Sequence, residues 1–194
     1  MVKNRELTEQ KILAAVEQII EKDGFEAVGV NAVTAVSGVN KVLIYRYFGS
    51  IDNLLAKYIE QKDFWLVNDF TFIPENGVKD FAKEIFHQYI NMLKSSPILR
   101  KLYRWELSTN NPVIENIRKK REEIGLQIIE AVSEMSGQDK KLVASISSLI
   151  TGSVSYLYML SENCDVYNSL LINEDSGWNT LKEGIDFMFN KIFA

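Results

Sequence analysis

Apolar residues recur three and four apart along most of this chain, the spacing of one buried face of an α-helix. Ile12, Val16, Ile19 and Ile20 form the first such stripe. Thr8 is placed to cap that helix, with Leu7 before it and Ile12 inside it at hydrophobic-staple spacing, and Asp23-Gly24 closes it. Residues 30–36 are rich in β-branched side chains and read equally as a short helix or a strand. Ser37-Gly38 then breaks the chain, and Asn40 can cap a third helix over residues 41–47. Gly49-Ser50 breaks it again. Ser50 can cap a fourth helix running through Leu54, Leu55, Tyr58 and Ile59 to about Trp65. Three short helices, with a tight turn between the second and third, are the layout of a helix-turn-helix.

Beyond a loop or linker at 66–77, which holds Pro74, Asn76 and Gly77, the helical period returns. It predicts helices over 78–94, 98–107, 112–135 and 140 to about 163. A polar stretch then reaches Gly177, and a last helix over 178–193 carries Leu181, Ile185, Met188, Phe189 and Ile192 on one face. The expected fold class is all-α. Residues 1–50 form a helix-turn-helix domain, a fourth helix at about 51–66 connects, and 67–194 form a larger C-terminal helical domain. DNA binding by the first, and ligand binding and dimerisation by the second, are what the family resemblance given below implies.

Composition narrows this picture. The chain is 46% apolar and 11% aromatic, enough to bury a core, and its formal charge of −4 argues against indiscriminate coating of nucleic acid. A local positive face remains open. Cys164 is the only cysteine, so no internal disulfide forms, which fits a reducing cytoplasm. The first ten residues, MVKNRELTEQ, have no apolar signal core, and no stretch approaches ~18 uninterrupted apolar residues. The expectation is a soluble cytoplasmic protein.

The chemistry lies in SGVNKVLIYRYFGS, residues 37–50. An α-helix fits the major groove of B-DNA, and a helix-turn-helix offers its second helix there. Ile44 and Phe48, four apart, are the inward pair, which leaves Lys41, Val42, Tyr45 and Arg46 outward. Lysine and arginine pair with phosphates or guanine edges, tyrosine hydroxyls bond phosphates, and valine methyls meet a thymine methyl. Asn40, at the helix start, can add a phosphate contact. Asn31 joins the set from the second helix, and Tyr47 reads equally as core or as contact. Against this stands the plain reading, in which the aromatics are core and the cations ordinary surface charges.

Residues about 8 to 55 resemble the N-terminal domain of the tetracycline-repressor (TetR) family of bacterial transcription regulators. The residues that carry the likeness are Gly24-Phe25, Gly38-Val39, the run Leu43-Ile44-Tyr45-Arg46-Tyr47-Phe48, and Ser50 before Leu54-Leu55. The resemblance implies a homodimer that represses transcription and leaves its operator when a small molecule binds the C-terminal domain. Three positions depart from the family pattern. Ile51 stands where lysine is frequent, Val42 where a small residue is common, and Gly29 where threonine often caps the second helix. Residues 1–62 hold eight Lys or Arg and eight Asp or Glu, so this part is neutral overall. A second reading follows: a ligand-sensing or interaction module whose helix-turn-helix no longer reads DNA.

In the C-terminal part, Trp65, Phe86, Tyr89, Met92, Tyr103, Trp105, Tyr156 and Met159 are candidate walls of an apolar ligand pocket, or else plain core. Leu149, Ser153 and Leu157, with Leu181, Ile185 and Met188, are candidates for a four-helix dimer interface; the same stripes can instead face the protomer's own core. Glu84-Ile85-Phe86-His87 matches the Glu-x-x-His unit of di-iron bundles, but two units are required and His87 is the only histidine. No phosphate-binding glycine loop and no nucleophile elbow occurs, and Cys164 has no metal-ligand companion. The expectation is no enzyme, no cofactor and no metal. The partners are an operator duplex, a small-molecule effector and a second copy of the chain.

Overall fold

A computed structural model describes residues 2–68, 70 and 77–193. These hold ten helices and one short hairpin: α1 (Val2–Asp23), a single 3₁₀ turn (Phe25–Ala27), α2 (Val30–Ser37), α3 (Lys41–Phe48), α4 (Ile51–Glu60), α5 (Phe64–Val67), α6 (Gly77–Ser95), α7 (Pro97–Ser108), α8 (Pro112–Ser136), α9 (Lys140–Leu160), β1 (Val166–Tyr167), β2 (Leu170–Leu171) and α10 (Asp175–Ile192). The all-α class holds. Most of the predicted linker, Pro74 and Asn76 included, lies outside the described residues, whereas Gly77 begins α6.

Helix α1 starts at Val2, so Thr8 lies inside it rather than at its cap, and Leu7 is exposed instead of stapled. The ambiguous segment at 30–36 is helical. Gly38 ends it in the left-handed conformation at φ 65°, which glycine adopts without penalty, with its N–H bonded to Thr34 O. Helix α4 stops at Glu60, short of Trp65, because the chain turns through Gln61 and Lys62 and restarts at Phe64. The Asp63 carboxylate accepts the N–H of Trp65 at 3.0 Å and so caps the short α5.

By packing, the chain divides into two units. The first joins Met1–Val67 with the distant segment Lys101–Arg121; the second joins Asn68–Arg100 with Glu122–Ala194. In the first, α1 packs on α2 and α4, and α3 packs on both α2 and α4. Their inward residues Ile12, Val16, Ile20, Val33, Ile44, Leu54 and Ile59 are buried. In the second unit α6 packs on α9 and α10. Phe86 and Phe189 stack there at 5.7 Å, and the Tyr89 hydroxyl lies 2.6 Å from Ser155 Oγ. Polar pairs flank the α6–α10 contact: Lys83 to Asn190, His87 Nε2 at 2.9 Å from Asp186, and Lys182 to Asn91.

The hairpin falls inside the polar stretch, where the spacing of apolar residues predicts no strand. It turns through Asn168 and Ser169, both at positive φ, the conformation of a two-residue type I′ connection. It then lies so close to α10 that a Cβ on Gly177 would sit 2.3 Å from the Leu171 carbonyl oxygen. Only glycine fits there.

Candidate nucleic-acid interface

Local chemistry fixes where α3 begins and ends. Asn40 Oδ1 accepts the N–H of Val42 at 2.9 Å, and Ser50 Oγ accepts the N–H of Asn53 at 3.0 Å, so the caps expected at both positions are present. Ser37 Oγ bonds the N–H of Val39 at 3.1 Å and stiffens the turn between α2 and α3. Ile44 and Phe48 are buried, which fixes the rotation of the helix about its axis. The opposite face then carries Lys41, Val42, Tyr45 and Arg46, all exposed. Val42 is 64% accessible and Tyr45 46%, high values for side chains that would gain by burial.

Among the described residues, the side chains of Lys41, Tyr45 and Arg46 form no ion pair, hydrogen bond or ring contact. Two carboxylates of α1 are engaged elsewhere. Glu9 binds Arg5 at 2.8 Å and Lys57 at 3.3 Å, and Glu17 binds Lys62 at 2.8 Å. The Arg5 hydrogen bond, joined by Lys57, holds the Glu9 carboxyl below its ordinary range despite opposition from burial. A neutral charge count therefore hides an uneven surface, in which Glu9 and Glu17 are paired while the α3 cations stay available.

The remaining candidates fall as follows. Asn31 is exposed in the first turn of α2. Asn40 has committed its oxygen to the cap, which leaves its NH₂ as the outward donor. Tyr47 is half-buried, with the Arg5 guanidinium 5.3 Å from its ring centre. Ile51 is half-buried at the start of α4. Val36 on α2 is also exposed; the period of residues 30–36 leaves its direction open.

The eight aromatic and methionine candidates are divided between the units. Trp65, Tyr103 and Trp105 belong to the first, where Trp105 stacks on Phe25 at 4.9 Å. Phe86, Tyr89, Met92, Tyr156 and Met159 belong to the second. Phe86 and Tyr89 are buried there, whereas Tyr156 is exposed and meets Tyr167 of the hairpin edge-on at 6.0 Å. A cavity of about 470 Å³ in the second unit involves none of the eight. Its walls include Lys94, Arg100, Tyr158 and Trp178, with Arg100 over the Tyr158 ring at 4.6 Å and Lys94 paired with Asp175. Burial raises the Tyr158 phenol above its ordinary value, against the pull of Arg100. Of the interface candidates, Leu149, Ser153 and Met188 face outward, Leu181 is half-buried, and Leu157 and Ile185 point into their own core. Leu142, Tyr156 and Phe187 join the outward set. Among the described residues no group of three metal-ligating side chains stands together.

Residues 12–58 match the family model for bacterial regulatory proteins of the tetR family. The helix-turn-helix segment is thus similar to the tetR-family DNA-binding domain. Solved structures extend the likeness to the whole fold. A TetR transcriptional regulator from Legionella pneumophila shares 19% identity over 92% of this chain and 95% of its own, with a TM-score of 0.65. A variant of HlyIIR with one segment replaced by a thrombin-cleavable linker shares 16% over 87% and 96%, at 0.58. A protein assigned as a tetR family transcription regulator from Shewanella sp. PV-4 shares 15% over 94% and 95%, also at 0.58. No curated protein matches in sequence. At these identities the structures show a shared fold: a tetR-type helix-turn-helix followed by a larger helical part.

Proposed function

We propose that this protein is a ligand-responsive transcriptional repressor that binds a near-palindromic operator as a homodimer and is released by a small apolar molecule. The outward face of α3 carries the reading: two cations and a tyrosine, exposed and unengaged, on a helix whose rotation is locked by its own core. Two such helices, about 34–36 Å apart, would enter successive major grooves on one side of a duplex.

Helix α9 supports the dimer. Among the described residues it is the one helix long and apolar enough to cross a membrane, yet little of it is buried within the chain. Leu142, Leu149 and Tyr156 recur every seven residues on its exposed side, beside the small Ser145, Gly152 and Ser153. A membrane is a poor match for a face carrying three serines (145, 148 and 153). A second copy, bringing its own α9 and the exposed Phe187 and Met188 of α10, covers that face better. Release then requires that ligand favour a state with the wrong α3 spacing, and a coupling of ~1–3 kcal/mol gives roughly a 5–150-fold loss of affinity.

The test is selection of duplexes from a random library by the purified protein, followed by gel retardation at two salt concentrations. Specific retardation that weakens with salt is the expected result. A protein that selects nothing at low salt would support the interaction-module reading, to which the half-buried Ile51 lends weight.

A further inference from the structure

Asp63 is 0% exposed, at the junction between α4 and α5. Its Oδ2 accepts from Arg121 Nε at 2.9 Å and from Arg121 Nη2, while Arg121 Nη1 donates to Glu106 Oε2 at 2.7 Å. The same guanidinium lies 5.5 Å from the ring centre of Tyr103. One side chain on α8 thus joins the end of α4, α7 and α8 within the first unit. Beside it Lys120 pairs with Glu60, the last residue of α4.

The position of α4 governs α3. Only Gly49 and Ser50 separate them, Ser50 caps α4, and the two helices pack on each other. Helix α4 stops at Glu60, and the Asp63 N–H bonded to Ile59 O at 2.8 Å ties Asp63 to its last turn. That end is held by the burial of Tyr58 and Ile59 and by the ion pairs of Glu60 and Asp63. A planar guanidinium that gives two N–H bonds to one Asp63 oxygen and a third to Glu106 fixes angle as well as distance, which apolar packing does less sharply. Such a buried pair adds little net stability over a hydrophobic substitute, so a geometric role accounts for it better.

We propose that Arg121 is a positioning residue for DNA binding, holding the end of α4 through Asp63 and thereby setting the angle at which α3 meets the groove. This rests on the proposal that α3 enters DNA. The test uses a duplex selected by the wild-type protein, and two variants. Arg121→Lys keeps a cation and loses the planar guanidinium. Asp63→Asn with Arg121→Met removes both buried charges and leaves Glu106 with Arg118, its other partner at 2.9 Å. In whichever variant stays folded by circular dichroism and dimeric by sedimentation, affinity should fall about tenfold. The slope of log affinity against log salt should also flatten, although no residue of the α3 face has been changed. A folded variant with unchanged affinity and slope overturns the proposal, as does unfolding of both variants, which would mark the pair as purely structural. A wild-type protein that selects no duplex overturns the proposed function itself, independently of either variant.

Discussion

Two cationic clusters lie within the same packing unit, and they differ in how their charges are paired. The denser is at the start of α8, where IRKKREE places Arg118, Lys119, Lys120 and Arg121 in succession. The sparser is on α3, with Lys41 and Arg46 alone. Arg118 and Arg121 bind Glu106, Arg121 also binds Asp63, and Lys120 binds Glu60, so the dense cluster is largely consumed inside the protein. The α3 pair has no such partner among the described residues. Charge density along a sequence therefore does not mark a nucleic-acid surface. Under the proposed function, exposed cations on an outward helix face are what mark it.

The strongest way to break this contrast is to remove Arg121. Arg121→Met alone strands Asp63 as a buried charge and should cost about 3–5 kcal/mol, read from urea unfolding. Burial works to lower the Arg121 pKa, but Asp63 and Glu106 outweigh it and hold the group above its ordinary value. It thus stays charged at any working pH, and the loss should not depend on mild alkali. A cost under about 1 kcal/mol would mean the α8 cluster is no more committed than the α3 pair.

Next in size is Arg46→Ala, expected to weaken operator binding by about 1–3 kcal/mol in a fluorescence-anisotropy titration. Arg118→Ala should leave that titration unchanged. If both variants bind equally well or equally badly, pairing does not discriminate the clusters.

Tyr58 offers a neutral counterpart. It is buried on α4, and among the described residues its hydroxyl has no hydrogen-bond partner. Tyr58→Phe should stabilise the protein by about 1 kcal/mol or leave it unchanged, since an unmatched polar group is removed. Burial, then Glu17 and Glu21, push the phenol well above its usual value. The native state therefore favours the neutral form. Its contribution is full below about pH 10 and is lost as pH rises further, because the unfolded chain ionises first. Denaturation melts between about pH 9 and 11 should show a shallower alkaline decline in the phenylalanine variant. The smallest expected effect is on salt dependence: Lys41→Ala should lower the slope by about one, and Lys119→Ala should not.

Much of the α3 site is legible in local signals of the chain. Ser37-Gly38, Asn40 and Ser50 mark its turn and caps, and Ile44 with Phe48 set the helix rotation, so the outward set follows from spacing alone. The pairing is not legible in this way. Asp63 and Arg121 are distant in sequence, and nothing local to either shows that the segment Lys101–Arg121 packs with the N-terminal helices. The period also carries α4 on to Trp65, because the apolar spacing runs on through the turn that Gln61, Lys62 and Asp63 make. On α9 and α10 the period gives stripes but not their direction: Leu149 faces out and Leu157 in, though both fit one helical repeat. The hairpin escapes because two-residue strands around Asn168-Ser169 carry almost no alternation.

The claim that α3 and not α8 meets the duplex can be tested by photo-crosslinking. With p-benzoylphenylalanine in place of Tyr45 in one preparation and of Lys119 in another, each would be illuminated on the selected duplex. The prediction is a DNA adduct from position 45 and none from position 119. Adducts from 119 with none from 45 would contradict the account.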